Sequence, residues 1–437
     1  SEDGCPPADL IARYELVGSP RLCGGCDPDC HQTTDAPNAI DLGDLNADGK
    51  QDSPRDLRVW ANSAAYLPAP TDGIQIVPPG VRVTSMYAWA ASPTTDTLTK
   101  VHLQNFTADG VYRVGLAMNG IGGNSPSRTT VDVLGCAYVA GRAFSRQGSV
   151  TKVAGELEDC PDLNGNDVVD TNTGVGDTIR DFAGTVGQDE CVIWAAPVGD
   201  VGDTPRAMAI DSLGRIWIGL YSSMEFFVIS SIDGSHISTV SVDDRPYGAA
   251  VTPDGLLYYS TLGHANVQAI NTLTPIPVQA DVQPVVAFPP ASSYGMAINQ
   301  HEHVFISGGG GMQRYDSLTD TWQTAAAVGA YGGSGVGTSE EGFAFAGGGN
   351  MVTVFDARVP EVSPGVLQSP LPPMTFVDSF SVPSSYGVCM DFFGNLWSAN
   401  RTASMTVIDL GDQAVAGDGG VLATIPTQGN NYTYSDF

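Results

Sequence analysis

Lysine is almost absent from this chain: Lys50, Lys100 and Lys152 are the only three in 437 residues, and 48 acidic side chains face 19 basic ones, for a net charge of −29. A surface of that sign repels phosphate backbones and anionic bilayers, which excludes nucleic acid and membrane surfaces as partners. It suits high ionic strength and divalent cations. Also missing is any apolar run long enough to cross a bilayer as a helix. No basic, apolar leader stands at Ser1, so an exported chain would be shown here in processed form. No Ser-His-Asp set, zinc-binding helix motif or phosphate loop is found, and the expectation is a non-enzymatic protein.

What the chain does have is repetition. Apolar residues make up 42% and charged ones 15%, with Gly and Pro spread along the chain at turns, as in a soluble β-rich protein. The stretch 204–242 reads as four short apolar runs (206–211, 215–220, 225–229 and 236–242) separated by SLG, SSM and DGS. Runs of that length bounded by Gly, Asp and Ser are strands. Four per unit, repeating every 40–50 residues, is the pattern of a β-propeller blade. The second run of each unit carries an aromatic at one fixed place: Trp89, Tyr138, Trp217, Tyr258, Phe305, Phe345 and Trp397. Seven aromatics predict seven blades, at about 81–115, 124–198, 205–242, 245–288, 292–328, 332–382 and 384–426. The fold class is therefore all-β, a seven-bladed β-propeller over 81–437 preceded by a small, loop-rich region over 1–80. The first unit lacks an innermost strand, and 430–437 (NNYTYSDF) is expected to supply it, leaving no open edge.

Four of the eight cysteines, Cys5, Cys23, Cys26 and Cys30, fall in the first thirty residues. Such clustering reads as a disulfide framework of an oxidising compartment, hence an extracellular or cell-surface protein. Three Cys with His31 also have the donors of a zinc site, and Cys26, Cys30 and His31 resemble a lengthened c-type haem attachment, so three readings stand here. Cys160 and Cys191 bracket an insertion at 156–190 and form a plausible third pair. Cys136 and Cys389 lie in strands of different blades, as partners or as buried thiols.

Two loops place oxygen side chains at alternate positions, the arrangement that wraps calcium. The first is Asp44, Asn46, Asp48, Lys50 (through its carbonyl) and Asp52, with Gly49 for the turn and Arg55 where a closing Glu would stand. The second, inside the insertion, is Asp162, Asn164, Asn166, Val168 (through its carbonyl) and Asp170, with Asp167 in place of the glycine.

Propellers commonly work at the mouth of the central channel, where the innermost strands begin. The residues aligned there are Arg128, Arg206, Tyr247, Tyr294, Ser334, Tyr386 and Tyr432. Tyrosines with two arginines could stack on and hydrogen-bond a sugar, peptide or anion; equally, the tyrosines could fill the channel and satisfy one another's hydroxyls.

The phrases PRAMAIDSLGRIWIG, RPYGAAVTPDGLLYYS and SSYGVCMDFFGNLWSAN resemble the virginiamycin B (streptogramin) lyase-like and NHL-type seven-bladed propellers. The resemblance implies a central-mouth site in which the lyases use His, Glu and magnesium to open a lactone by elimination. Their blade-start phrase tends to read Pro-His-Gly-Ile, whereas here the histidine place is Tyr247, Tyr294 or Tyr386. The phrases CDPDCHQTTD, NSPSRTTVD and GQDECVIWAAPVG also look like those of large secreted myxobacterial proteins. These readings predict a structural or assembly subunit of a cell surface, matrix or appendage. The alternatives are a propeller that binds a ligand or glycan at its mouth and, third, a divergent lyase-like enzyme.

Overall fold

In the computed structural model of the chain, the described residues are 86–437 apart from 263–265, 284–285, 288–293, 309–310, 317–318, 327–332, 364–365, 392, 412–416 and 434–437. Among the described residues seven antiparallel blade sheets follow one another along the chain, and an eighth, two-stranded sheet pairs Glu361–Ser363 with Val366–Leu367 within the sixth blade. The first has three strands, Tyr87–Ser92, Thr97–His102 and Ala108–Arg113. Six sheets of four begin with Pro126–Val131, Pro205–Ile210, Pro246–Val251, Met296–Ile298, Val336–Thr338 and Ser385–Met390. This is the seven-bladed propeller that the aromatic count predicts.

Each aromatic of the second strands is sealed inside the molecule. Seven apolar clusters run round the ring, each drawn from two neighbouring blades: Trp89 and Leu98 with Val139 and Val153, for example, and Trp217 and Phe226 with Leu257 and Tyr259. The cluster that closes the circle joins Trp397, Met405 and Ile425 to Ala88, Ala90 and Val101. Truncating a buried Trp to Ala costs about 3–5 kcal/mol, so each slot matters to the ring as a whole.

A polar device repeats beside the aromatic. Asp211 accepts amide hydrogens from Leu213 and Arg215 across its turn, and its other oxygen accepts the Trp217 indole N–H at 2.7 Å. Asp391 does the same for Phe393, Asn395 and Trp397, at 2.8 Å to the indole. Asp132 serves Cys136 and the Tyr138 hydroxyl. In these three blades one carboxylate fixes the first hairpin and satisfies the only polar atom of the core aromatic, whereas the buried Trp89 indole N–H in the first blade has no hydrogen-bond partner among the described residues. Arg215, paired with Asp211 at 2.7 Å, reaches on to the carbonyls of Thr274 and Pro275 in the next blade.

Closure uses the C-terminal segment, as expected, but 430–433 joins the first blade by individual hydrogen bonds and not as a regular strand, and 434–437 lie outside the described residues. Tyr432 N–H donates to the Ala91 carbonyl at 2.8 Å, and Ala91 N–H to Thr433 Oγ1 at 2.9 Å. Asn431 is buried and donates to Ser404 O, while Gln428 N–H donates to Thr99 Oγ1. Residues 428–433 therefore join the last blade to the first.

The insertion in the second blade is closed by Cys160–Cys191, and Cys136 and Cys389 are not joined by a disulfide. Burial and the nearby Asp132 carboxylate push the Cys136 thiol up to about 12, so it is inert at neutral pH. No helix among the described residues is long and apolar enough to cross a membrane.

Candidate binding site at the channel mouth

The innermost strands open with a bulge that turns one side chain out of the ladder. In three blades the pairing jumps from Pro205 to Ala207, from Pro246 to Gly248 and from Ser385 to Gly387, leaving Arg206, Tyr247 and Tyr386 as the extra residues. Such bulges re-aim a side chain at the rim of a sheet. The second blade jumps from Pro126 to Arg128, so the equivalent residue there is Ser127 and Arg128 lies one place further along. The glycine after Tyr294 shows how closely the strands converge: a Cβ on Gly295 would collide with the Ser334 carbonyl oxygen.

Four of the predicted mouth tyrosines meet. Ring centroids are 5.1 Å apart for Tyr247 and Tyr294, 5.7 Å for Tyr294 and Tyr386, and 4.6 Å for Tyr386 and Tyr432. The Tyr294 hydroxyl bonds those of Tyr386 and Tyr432, the latter at 2.9 Å. Burial, followed by the neighbouring Tyr247, Tyr386 and Tyr432, holds the Tyr294 phenol far above its ordinary range. Tyr294 is therefore protonated at any physiological pH and offers no phenolate base.

Arginines surround this cluster. Arg128 is buried and donates to the Arg206 and Tyr247 carbonyls, both at 2.8 Å, so its role as placed is to tie three inner strands together. The Arg206 guanidinium lies 5.2 Å from the Tyr247 ring and 5.4 Å from Phe144. Three residues that the strand alignment does not include join them. Arg142 lies over Tyr432 at 4.2 Å and over Phe144 at 4.9 Å, Arg401 lies over Tyr386 at 4.0 Å, and Tyr221 meets Tyr247 edge-on at 6.1 Å. All three are the first residue after a second strand, a repeat position that would have revealed them. Guanidiniums on aromatic faces hold a planar anion well; they do not move protons.

The described histidines are elsewhere. His102 ends a third strand, His236 begins a fourth, and His301 and His303 sit at the turn of the fifth blade's first hairpin. By strand direction all four lie at the far end of the blades from the tyrosines. His31 and His264 are outside the described residues, as are Cys5, Cys23, Cys26, Cys30 and the loop Asp44, Asn46, Asp48, Lys50 and Asp52. On the face away from the mouth, Gln300, His301, Glu341 and Arg358 line a groove of about 550 Å³.

The second calcium-type loop is ordered by its own side chains. Asp162 accepts amides from Gly165, Asn166 and Asp167, and Asp167 holds φ +62°, the left-handed turn predicted for a glycine substitute. The Asn164 and Asn166 amide groups donate to Asp170, whose other oxygen pairs with Arg180 at 2.9 Å. Hydrogen bonds from these groups hold the Asp162 and Asp170 carboxyls below the usual range. Among the described residues no three His, Cys, Asp or Glu side chains gather as a metal set; this loop brings two carboxylates and two amides.

No protein-family model matches the chain, and no curated protein matches its sequence. Solved structures share its fold. A functionally unknown protein from Desulfotomaculum acetoxidans is similar with a TM-score of 0.55 at 11% identity, over 80% of this chain and 99% of that one. A streptogramin B lyase structure gives 0.50 at 10% identity, over 72% and 87%. The likeness is one of fold alone. It agrees with the lyase-like propeller pattern of the blade phrases and carries no activity with it.

Proposed function

We infer that this chain is a non-enzymatic extracellular propeller, a structural or assembly subunit of a cell surface, matrix or appendage, stiffened by disulfides and calcium. The observation that supports it best is the tyrosine cluster. Where the lyase-like phrase carries histidine, this chain carries tyrosines, and among them Tyr294 bonds the Tyr386 and Tyr432 hydroxyls and its phenol is held far above its ordinary range. The Cys160–Cys191 bridge fits an oxidising compartment. Calcium would be held by Asp44, Asn46, Asp48 and Asp52 in one loop and by Asp162, Asn164, Asn166 and Asp170 in the other; the second needs its amides turned so that their oxygens face inward. Two tests bear on this. Electron microscopy of native material should show ordered polymers that fall apart when a calcium chelator is added; separated single rings in both conditions would overturn the assembly reading. A streptogramin B lactone should remain intact after prolonged incubation, and turnover lost in Tyr294→Phe would overturn the non-enzymatic one.

A second reading, a ligand-binding mouth, is favoured by the guanidiniums of Arg142, Arg206 and Arg401 set on aromatic faces.

A further inference from the structure

The two ends of the ring differ in charge. Strand direction places the turns between innermost and second strands, and those between third and fourth, at the end away from the tyrosine mouth. Exposed carboxylates stand there in every blade from the third to the seventh: Asp233, Asp254, Asp320, Glu341, Glu361 and Asp409. Among the described residues Arg358, paired with Asp356 at 2.6 Å, is the one exposed arginine or lysine of that end. At the mouth end the signs are mixed: Asp200 and Asp243 are exposed, and so are Arg146, Arg245 and Arg401. The contrast is one of net charge, so ion pairs made within either end leave it unaltered.

Four mouth-end loops, 116–123, 142–148, 198–204 and 221–224, are fastened side by side. Gly202 N–H donates to the Arg146 carbonyl at 3.0 Å, Asn119 Nδ2 to Gln147 O at 2.8 Å, and Gln147 Nε2 to the Val198 and Gly199 carbonyls at 3.0 Å each. Ser222 donates its N–H to Asp203 O and its hydroxyl to Gly202 O, both at 3.0 Å. Out of these loops stand Met118, Ile121, Phe144, Val201 and Met224, all exposed. Ala143 and Ser145, on either side of Phe144, hold left-handed backbone with φ of +41° and +59°. Non-glycine residues take that conformation only where the surroundings impose it. The far end exposes apolar side chains too, but Ile232 and Val362 there stand next to Asp233 and Glu361.

Met, Phe and Arg side chains on loops held rigid by their own hydrogen bonds are the composition of an interface core. Exposed apolar side chains gathered in this way gain from being covered. The charges decide by what. A second copy bringing its acidic end here would bury carboxylates from five blades against three exposed arginines, and carboxylates buried without partners are costly. Two acidic ends set against each other would repel. A second mouth end carries both signs: about a two-fold axis it covers apolar loops with apolar loops, brings arginines to the side of Asp200 and Asp243, and points the acidic ends apart. We propose that two copies of this chain pair mouth to mouth through these four loops. The proposal rests on the assembly reading and deepens it, since the building block is then a pair of rings. The pair itself needs no calcium.

The test uses the full chain in a calcium chelator at micromolar concentration, with mass read by light scattering during size-exclusion chromatography. Particles of twice the mass of one chain are expected. Met118→Asp and Val201→Asp each set a carboxylate into the pairing surface and should raise the dissociation constant about tenfold or more. Met118 is 80% exposed and Val201 68%, so near-ultraviolet circular dichroism of the ring should not change in either variant. Neutralising the acidic end, with Asp254→Asn and Glu341→Gln together, should leave the pairs as they are. Single rings in the wild type, or pairs that survive Met118→Asp combined with Val201→Asp, would overturn the proposal. So would masses above two rings in chelator, the mark of head-to-tail addition, or pairs lost on neutralising the acidic end. Pairs that never polymerise when calcium is added would sink the assembly reading and leave this one standing. Polymers that chelation reduces to single rings would do the reverse.

Discussion

Between Pro205 and Ser241, strand after strand turns apolar side chains into clusters shared with the neighbouring blades; between Cys160 and Cys191, Phe182 is the single buried apolar side chain. The insertion replaces apolar burial with wiring. Asp189 is fully buried and accepts hydrogen bonds from Thr171, Asn172 and Cys191, and Glu190 caps the amides of Leu163, Asn164 and Asp170. Asn172, also buried, accepts the Val111 amide at 2.8 Å and so fastens the insertion to the first blade. The difference shows how a segment too short and too polar for its own core is held: by a covalent clamp and satisfied buried acceptors instead of dispersion contacts. It also predicts that the two regions fail differently.

The largest effect should come from opening the ring. Deleting 432–437 removes the Tyr432–Ala91 and Thr433–Ala91 bonds that join the last blade to the first. Loss of the cooperative thermal transition, followed by near-ultraviolet circular dichroism, is the expected result; a transition within a degree or two of wild type would show that closure contributes little. Trp217→Ala should come next, at about 3–5 kcal/mol of global stability in a denaturant titration. The double variant Cys160→Ala, Cys191→Ala should cost about 2–4 kcal/mol, but locally. Proteolytic cuts within 161–190 with an intact ring are expected. If the ring melted with the insertion, the contrast drawn above would collapse.

A smaller effect is a pH slope. His303 is buried at the turn of the fifth blade, and burial, then the Arg314 guanidinium and His301, outweigh Asp316 and push it down to about 4. A folded value below the unfolded one means the neutral imidazole is favoured by folding. Its contribution is present above pH 6.5 and is lost as pH falls from there toward 4. In His303→Gln, stability measured between pH 7 and 4.5 should fall less steeply than in wild type.

The blade count was readable because the aromatic slot repeats a physical requirement, a large side chain wedged between sheets, and all seven named aromatics are buried. The mouth was readable only in part. Tyr247, Tyr294, Tyr386 and Tyr432 come together, while Arg128 falls one residue off the slot because the bulge is counted from the proline: Pro126-Ser127 matches Pro205-Arg206 and Pro246-Tyr247. Arg142, Tyr221 and Arg401 share the first place after a second strand, which an alignment extended by one residue would have reached; Phe144 was invisible to it because it stands further into a connection. The cysteine pairing of the insertion was legible from spacing around a polar segment.

Closure by residues 428–433 has a consequence for how the chain is made. Ala91 and the Thr433 that it bonds are separated by 342 positions. At a synthesis rate of about 5–20 residues per second, the first blade waits roughly 20–70 s before its missing edge exists. Throughout that interval the edge of Tyr87–Ser92 that faces away from Thr97–His102 lacks the bonds from Tyr432 and Thr433, an open strand edge prone to association. Maturation therefore has a final, non-local step, and a nascent chain halted shortly before Asn431 should be the species that chaperones retain or neighbours capture by strand pairing.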